Sequence, residues 1–267
     1  MSKTKVVFLG SRPMGSAALS RLSFMNDVEI VGCVTKAPPR NAWWSDDPHG
    51  NHDYPNISHE ELGDVDFDFG ISINYWKIIE PQIISRPSLG FVNLHHSYML
   101  SLRGRDMTSH AIINARRTGR WYHGTTLHYT DDGLDTGPII ATDSCPILES
   151  DTAWSLFQRV EAIGKNMLDL WLPRLVAGRP PVSYPEPEQP LNMRKDATKK
   201  EIADLNADPL LIYDVVRAYD FNGHFEPAST LIDGAKVYLT TTAREGYLVL
   251  DAGGGRRVYR ADYKPAA

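Results

Sequence analysis

The sequence predicts an α/β fold, a doubly wound, mostly parallel sheet followed by a small, mostly β C-terminal domain. Three observations carry that expectation. A β-turn-α start (Val6 to Leu9, the turn Gly10 to Gly15, then the apolar-periodic Ala17 to Phe24) runs into a second apolar stretch, Val28 to Val34, and completes a βαβ unit. The segment Asp151 to Ala177 repeats apolar residues at helical spacing, with Leu156, Val160, Ile163, Met167, Leu168, Trp171 and Leu175 on one face. Five prolines between Pro180 and Pro190 then separate this body from a tail of short β runs.

In chain order, Gly10 to Gly15 reads as a structural βα turn, because it lacks the Gly-Lys-Ser/Thr of a phosphate loop. From Lys36 to Asp64 the chain is polar and turn-rich, with Pro38-Pro39, Trp43-Trp44, His49, Gly50 and His52, and it reads as a long loop. Phe67 to Ile73 alternates as a strand, Ile78 to Ile84 is expected as a short helix, and Gly90 to Leu94 as a buried strand. Arg105 to Asn114 suits a helix, while Thr125 to Tyr129 and Pro138 to Asp143 suit strands. After the long helix, Pro209 to Tyr219 is expected as a helix. Ser229 to Ile232, Lys236 to Thr241 and Tyr247 to Leu250 are β runs divided by Asp233-Gly234 and Glu245-Gly246. The expected organisation is a catalytic domain over 1–178, a Pro-rich linker over 179–192 and a small C-terminal domain over 193–267.

Composition bounds the function. With 267 residues, 42% hydrophobic, 23% charged, 20 Gly and 18 Pro, the chain is that of a globular protein and excludes disordered, collagen-like and coiled-coil classes. A net charge of -5 provides no general attraction for phosphates, so nucleic acid is not the expected partner and small substrates are favoured. Cys33 and Cys145 form no CxxC pair, which points to a reduced, cytoplasmic protein. The apolar run after Lys3 and Lys5 is too short for a signal segment, and no stretch approaches the roughly 20 apolar residues of a membrane helix, so no membrane partner is expected.

Two motifs carry the chemistry. Asn93-Leu94-His95-His96-Ser97 lies on and just after a strand end, and Asp131-Asp132-Gly133-Leu134-Asp135-Thr136-Gly137-Pro138 follows another strand. Side chains alternate along a strand, so Asn93 and His95 share one side and His96 takes the other. The carboxyl edge of a parallel sheet is where such folds bind ligands, and the glycine-rich turn can bring Asp135 to it. An amide that donates to a developing oxyanion, an imidazole that titrates near neutrality and a carboxylate that orients it together suit acyl transfer. Ser97 lacks a G-x-S-x-G setting, so covalent serine catalysis is not expected. His95, His96, His110, His123 and His128 lie among Asp131, Asp132 and Asp135, but neither HExxH nor CxxC spacing is present, so no metal is expected.

These residues carry a resemblance. Asn93-Leu94-His95-His96-Ser97 with Leu102-Arg103-Gly104, and Asp132-Gly133-Leu134-Asp135-Thr136-Gly137, resemble the N-x-H-x-S…R-G and D-x-G-x-D-T-G motifs of 10-formyltetrahydrofolate-dependent formyltransferases, over roughly residues 5 to 178. The resemblance implies a Rossmann-like formyltransferase domain with Asn93, His95 and Asp135 as catalytic residues and N10-formyltetrahydrofolate as co-substrate. It places the folate against Tyr75, Trp76, Lys77, Ile78 and Ile79, Arg103 and Gly104, and the loop residues Asp132, Gly133, Leu134 and Thr136. The family commonly reads S-L-L-P where this chain has Ser97-Tyr98-Met99-Leu100, so the pterin surroundings are expected to differ.

Within that resemblance the acceptor is read from the tail. Val215 to Phe221 and Leu231 to Val237 are similar to the start of the C-terminal β domain of methionyl-tRNA formyltransferases and sugar N-formyltransferases, and Ser72-Ile73-Asn74-Tyr75 is similar to the latter. The tail is not basic, since Glu186, Glu188, Asp196, Glu201, Asp204, Asp208 and Asp214 offset its lysines. The expected reaction is therefore N-formylation of a nucleotide-linked deoxyamino sugar of the O-antigen type. Ser97, Tyr98, Arg105, Phe221 and Phe225 are expected at the substrate, aromatics such as Phe221, His224 or Phe225 stacking on the base and Arg105 or Arg120 meeting a diphosphate. The alternatives are a methionyl-tRNA formyltransferase, a formyltransferase of another small amine such as a hydroxyornithine or glycinamide ribonucleotide, and a non-catalytic folate-binding protein. Apolar surface expected in the C-terminal piece points to a homodimer.

Overall fold

The computed structural model describes residues 2–40, 42–184, 191–192, 200–243 and 245–264. They fall into two compact units, Met1–Ser101 with Gly124–Ser144 and Glu161–Gln189, and Leu102–His123 with Cys145–Val160 and Pro190–Ala267.

The first unit is built on six strands, β1 (Thr4–Gly10), β2 (Val28–Thr35), β3 (Phe69–Ile73), β4 (Phe91–His95), β6 (Tyr122–Tyr129) and β7 (Ile139–Pro146), in the order β2-β1-β3-β4-β6-β7. β1 pairs in parallel with β2 and β3, and β3 with β4, whereas β6 is antiparallel to β4. Val6 to Leu9 are all fully buried, as a central parallel strand covered on both faces requires. Val6 and Phe8 enter one core, with Leu22, Val92, Leu94, Met167 and Leu172, while Val7 and Leu9 enter another, with Leu62, Phe67 and Phe91. Helix α1 (Arg12–Ser23) opens with Pro13 in its first turn, where the missing N–H is no loss. Helix α2 (Pro81–Ile84) starts three residues later than Ile78, because Pro81 presets the first helical φ.

The second unit holds β5 (Arg103–Gly104), which pairs with β8 (Leu191–Asn192), helix α3 (Met107–Thr118) and helix α5 (Pro209–Ala218). Its five-stranded sheet has the order β12-β13-β11-β10-β9, from β9 (Glu201–Ile202), β10 (Ala228–Ile232), β11 (Ala235–Thr240), β12 (Leu248–Asp251) and β13 (Arg257–Ala261). Asp208 Oδ1 caps α5 by accepting from Leu210 N at 2.9 Å, ahead of Pro209. Helix α3 ends at Gly119 in the left-handed region, φ +72°. Beneath these helices Arg217, with no exposed surface, donates to Asp214 at 2.8 Å and to the carbonyls of Leu148 and Asp151. Asp214 also accepts from Arg116 of α3 at 2.7 Å.

Helix α4 (Ala153–Ala177) is the long apolar helix, two residues shorter at its start than the sequence suggests. Of the expected linker 179–192, residues 185–190 lie outside the described residues. Ser183 bridges to Ile139. Among the described residues no helix is long and apolar enough to cross a membrane.

Candidate active site

The register of β3, β4 and β6 sets Ser72, Asn93 and His128 in one row across the sheet. Directly opposed residues are close enough for their side chains to meet. Asn93 Nδ2 lies 3.2 Å from His128 Nε2, and Ser72 Oγ donates to Asn93 Oδ1 at 3.5 Å. His128 Nδ1 is 2.9 Å from the carbonyl oxygen of Tyr129, which can only accept. Burial pushes the His128 imidazole down to about 4, so the ring is neutral near pH 7. One ring nitrogen then carries hydrogen, and it is Nδ1; Nε2 is an acceptor. Asn93 therefore turns its NH2 towards His128 and uses one of two N–H groups there, leaving the other directed at the site.

His95, two residues along, projects on the same side as Asn93. Its Nε2 is 3.7 Å from Asp135 Oδ2, and Asp135 Oδ1 is 4.0 Å from His128 Nε2. Both separations exceed a hydrogen bond, as is common before substrate tightens a catalytic contact. The side chains of His95 and Asp135 are 11% and 10% exposed, enough for a reacting group to reach them. Asp135 takes φ +52°, a conformation Asp tolerates better than most residues. Its turn is tied by Asp131, whose Oδ1 accepts from Gly133 N at 3.1 Å and from Thr136 Oγ1 at 2.7 Å. Gly137 is required because a Cβ there would collide with the Tyr129 carbonyl.

The chain leaving β4 is held just as closely. Thr125 Oγ1 donates to the His95 carbonyl at 3.0 Å, and Thr126 Oγ1 to that of Ser97 at 2.6 Å. Ser97 has no exposed surface, and Tyr98 is half-buried. Met99 and Leu100 have φ +54° and +53°. A proline ring holds φ near about -65°, so the family's usual proline does not fit at Leu100, and the departure from S-L-L-P has a backbone cause.

The segment Tyr75 to Ile79 follows β3 in the same unit. Ser11 Oγ donates to the Asn74 carbonyl at 2.9 Å. Burial pushes the Tyr75 phenol above its ordinary range, and its hydroxyl lies 2.6 Å from His59 Nδ1, while His59 Nε2 reaches Glu80 at 3.2 Å. Lys77 pairs with Glu60 at 2.8 Å, and the Lys36 ammonium lies over the Trp76 ring. Ile79 is buried, but Trp76, Ile78 and, on the Asp turn, Leu134 are exposed apolar side chains. Exposed apolar surface with polar backbone between suits a flat, amphipathic ligand such as a pterin with its aryl tail.

Asn93, His95, Asp135, Tyr75 to Ile79 and Asp132 to Thr136 thus lie in the first unit. Arg103, Gly104, Arg105, Phe221 and Phe225 belong to the second. Arg105 is exposed; the rings of Phe221 and Phe225 meet edge to face at 5.1 Å, and Trp154 lies 4.6 Å from His224. His95 and His96 diverge, the latter meeting Glu161 at 3.2 Å, and among the described residues no three His, Cys, Asp or Glu converge on a metal-sized site. Ser72, His128 and Asp131 are the residues that sequence reasoning did not assign to the site. The signal for Ser72 and His128 is cross-strand pairing, which needs a register that motifs do not supply, whereas Asp131 acts locally, within its own turn.

Comparison with known proteins bears on family and fold. A family model described as formyl transferase matches residues 25–172. The methionyl-tRNA formyltransferase of Halorhodospira halophila is 34% identical over 121 residues, 45% of this chain and 37% of that protein. That of Roseiflexus castenholzii is 27% identical over 234 residues, 81% of this chain and 73% of the other. The chain spans about a third of the length of the first curated relatives it matches. Among solved structures, a 4-N formyltransferase from Francisella tularensis has a TM-score of 0.75 at 17% identity, covering 91% of this chain and 98% of its own. An N-formyltransferase from Helicobacter canadensis, solved with folinic acid and dTDP-3-aminofucose, has a TM-score of 0.73 at 18% identity, covering 98% and 100%. At these identities the likeness is one of fold.

Proposed function

The chain belongs to the formyl transferase family, and from that premise we propose that it moves a formyl group from N10-formyltetrahydrofolate to the amino group of a nucleotide-linked deoxyamino sugar. The observation that carries the reading is the cluster of Asn93, His128, His95 and Asp135, an amide whose N–H is aimed by a neutral imidazole beside an imidazole and carboxylate pair.

The co-substrate supplies the electrophile: the acceptor nitrogen bonds to the formyl carbon, the bond from that carbon to N10 breaks, and a proton passes from the amine to N10. The remaining work is done by the chain. The second N–H of Asn93 and a ring N–H of His95 donate to the formyl oxygen as it gains charge, which is the type of contact whose loss typically lowers a rate by about 100- to 1000-fold. Asp135 takes up the proton that the attacking amine releases and passes it on to N10. Trp76, Ile78 and Leu134 offer apolar surface to the folate, and His59 and Lys36 hold the segment that carries the first two. Position and electrostatics then suffice, with no covalent nucleophile on the protein.

A sugar acceptor is favoured by structural neighbours that carry nucleotide-linked amino sugars and by the acidic balance of the chain, which offers little to a polyanion. The name borne by the sequence relatives keeps methionyl-tRNA as the second reading. Tetrahydrofolate release is to be measured with dTDP-, GDP- and UDP-linked 3-amino and 4-amino deoxysugars beside Met-tRNA. Release with a nucleotide sugar alone is expected. Salt-sensitive release with Met-tRNA alone transfers the assignment to the second reading.

A further inference from the structure

Just past the end of β4 lies a second, largely buried pair. His96, in the bend that follows His95, sets its Nε2 3.2 Å from Glu161 Oε1 on α4, with the two side chains 16% and 13% exposed. Burial acts on the two groups in opposite directions, driving the imidazole down to about 3 and the carboxyl up to about 7. The charged groups that face them do not reverse this. Arg12 of α1 and His95 of β4 push His96 further down, and Lys165 of α4 and Arg12 lower Glu161 by less than burial raises it. An ion pair is therefore not the resting state. A neutral imidazole faces a carboxyl that holds its proton below about pH 7, and the ring nitrogen at 3.2 Å is an acceptor for its O–H.

We propose that Glu161 is a positioning residue for the transfer site, its carboxyl O–H donating to His96 Nε2 and thereby fixing how His95 is presented to Asp135. His96 follows His95 directly, in a bend where Ser97 N donates to the His95 carbonyl at 2.9 Å, so a ring anchored at 96 restrains the peptide that carries 95. The anchoring is needed because the chain beyond β4 turns at once through the left-handed Met99 and Leu100, and offers no strand to continue the ladder. Thr125 and Thr126 hold the carbonyls of His95 and Ser97 from β6; the His96 to Glu161 contact holds the intervening residue from the helix side. The inference rests on the proposed role of His95.

The test compares Glu161→Gln with Glu161→Ala in the full chain, reading kcat, KM for the folate, the pH profile and the histidine ring resonances. The Gln amide donates to Nε2 as the protonated acid does, but does not titrate. Wild-type kcat is expected to fall above about pH 7 as the carboxyl ionises, and Glu161→Gln is expected to remove that fall while keeping kcat within about twofold of wild type. Glu161→Ala is expected to lower kcat by about tenfold, the size of one net hydrogen bond, with KM unchanged, and to move the His95 resonances. Wild-type kcat with unmoved His95 resonances in Glu161→Ala overturns the proposal, and so does a Glu161→Gln enzyme as impaired as Glu161→Ala. If wild type transfers no formyl group to any acceptor, the catalytic reading fails by itself. The ring resonances then decide whether Glu161 orients His95: movement in Glu161→Ala but not in Glu161→Gln supports it, and no movement overturns it.

Discussion

Replacing His128 by Phe separates aiming from donating. The ring is 2% exposed, so an apolar ring of similar size refills the space and leaves no large cavity. The acceptor for Asn93 Nδ2 at 3.2 Å is removed, and the amide loses the contact that tells its two ends apart. One net hydrogen bond of about 1 kcal/mol corresponds to roughly a fivefold preference for the correct orientation, so its loss leaves about half of the amides turned the wrong way and kcat should fall about twofold. Asn93→Ala removes the donor itself and should lower kcat by about 100- to 1000-fold. Because His128 acts through Asn93, the double variant should be no slower than Asn93→Ala alone, a coupling that a double-mutant cycle on tetrahydrofolate release reads directly. His128→Gln, which offers a carbonyl acceptor near the same place, should recover part of the loss. A full His128→Phe penalty in the Asn93→Ala background refutes the reasoning, as does wild-type kcat in the single variant.

Other consequences concern stability. Asp214→Ala leaves the guanidinium groups of Arg116 and Arg217 facing each other without their shared carboxylate, which should cost about 3–5 kcal/mol in urea unfolding; a shift below about 1 kcal/mol contradicts the buried-pair account. A Cβ at Gly164 would stand 2.8 Å from Met14 Cε and 3.2 Å from Leu94 Cδ2. Gly164→Val should therefore overpack the contact of α4 with α1 and β4 by about 1–3 kcal/mol, whereas Gly164→Ala in a Met14→Ala background should be close to neutral by thermal melting. His96 is depressed from 6.5 to about 3 in the folded chain, so the unfolded chain binds its proton first as pH falls. Stability from this group is present above pH 6.5 and is lost progressively towards pH 3, with a His96→Asn variant showing a shallower acid limb in chemical denaturation.

Much of the fold could be read from residue patterns because its determinants are local. Val6 to Leu9 form an unbroken apolar run because β1 is covered on both faces, and the period of two along β4 puts Asn93 and His95 on one side, while His96, just past the strand end, meets Glu161 instead. What stayed hidden depends on partners distant in sequence. His128 is 35 residues from Asn93 and joins it through the β4 to β6 register; Arg116 and Asp214 are 98 residues apart. Glu161 looks like a solvated position on a helix until the fold turns that face towards β4. The strand Arg257–Ala261 escaped notice because its alternation is thin, Val258 being its one fully buried side chain. Leu100 reads as an ordinary apolar residue, and only its positive φ explains why the family's proline is absent.

The most direct test of the central claim is to follow an isotope-labelled formyl carbon from N10-formyltetrahydrofolate, with wild type, Asn93→Ala and Asp135→Asn, in the presence of a dTDP-linked amino sugar panel. The account predicts that the label appears as an amide on one sugar nitrogen, in step with tetrahydrofolate, and that both variants lose at least about 100-fold in rate while still binding folate. Label found only as free formate, or transfer to the sugar at undiminished rate in both variants, contradicts it.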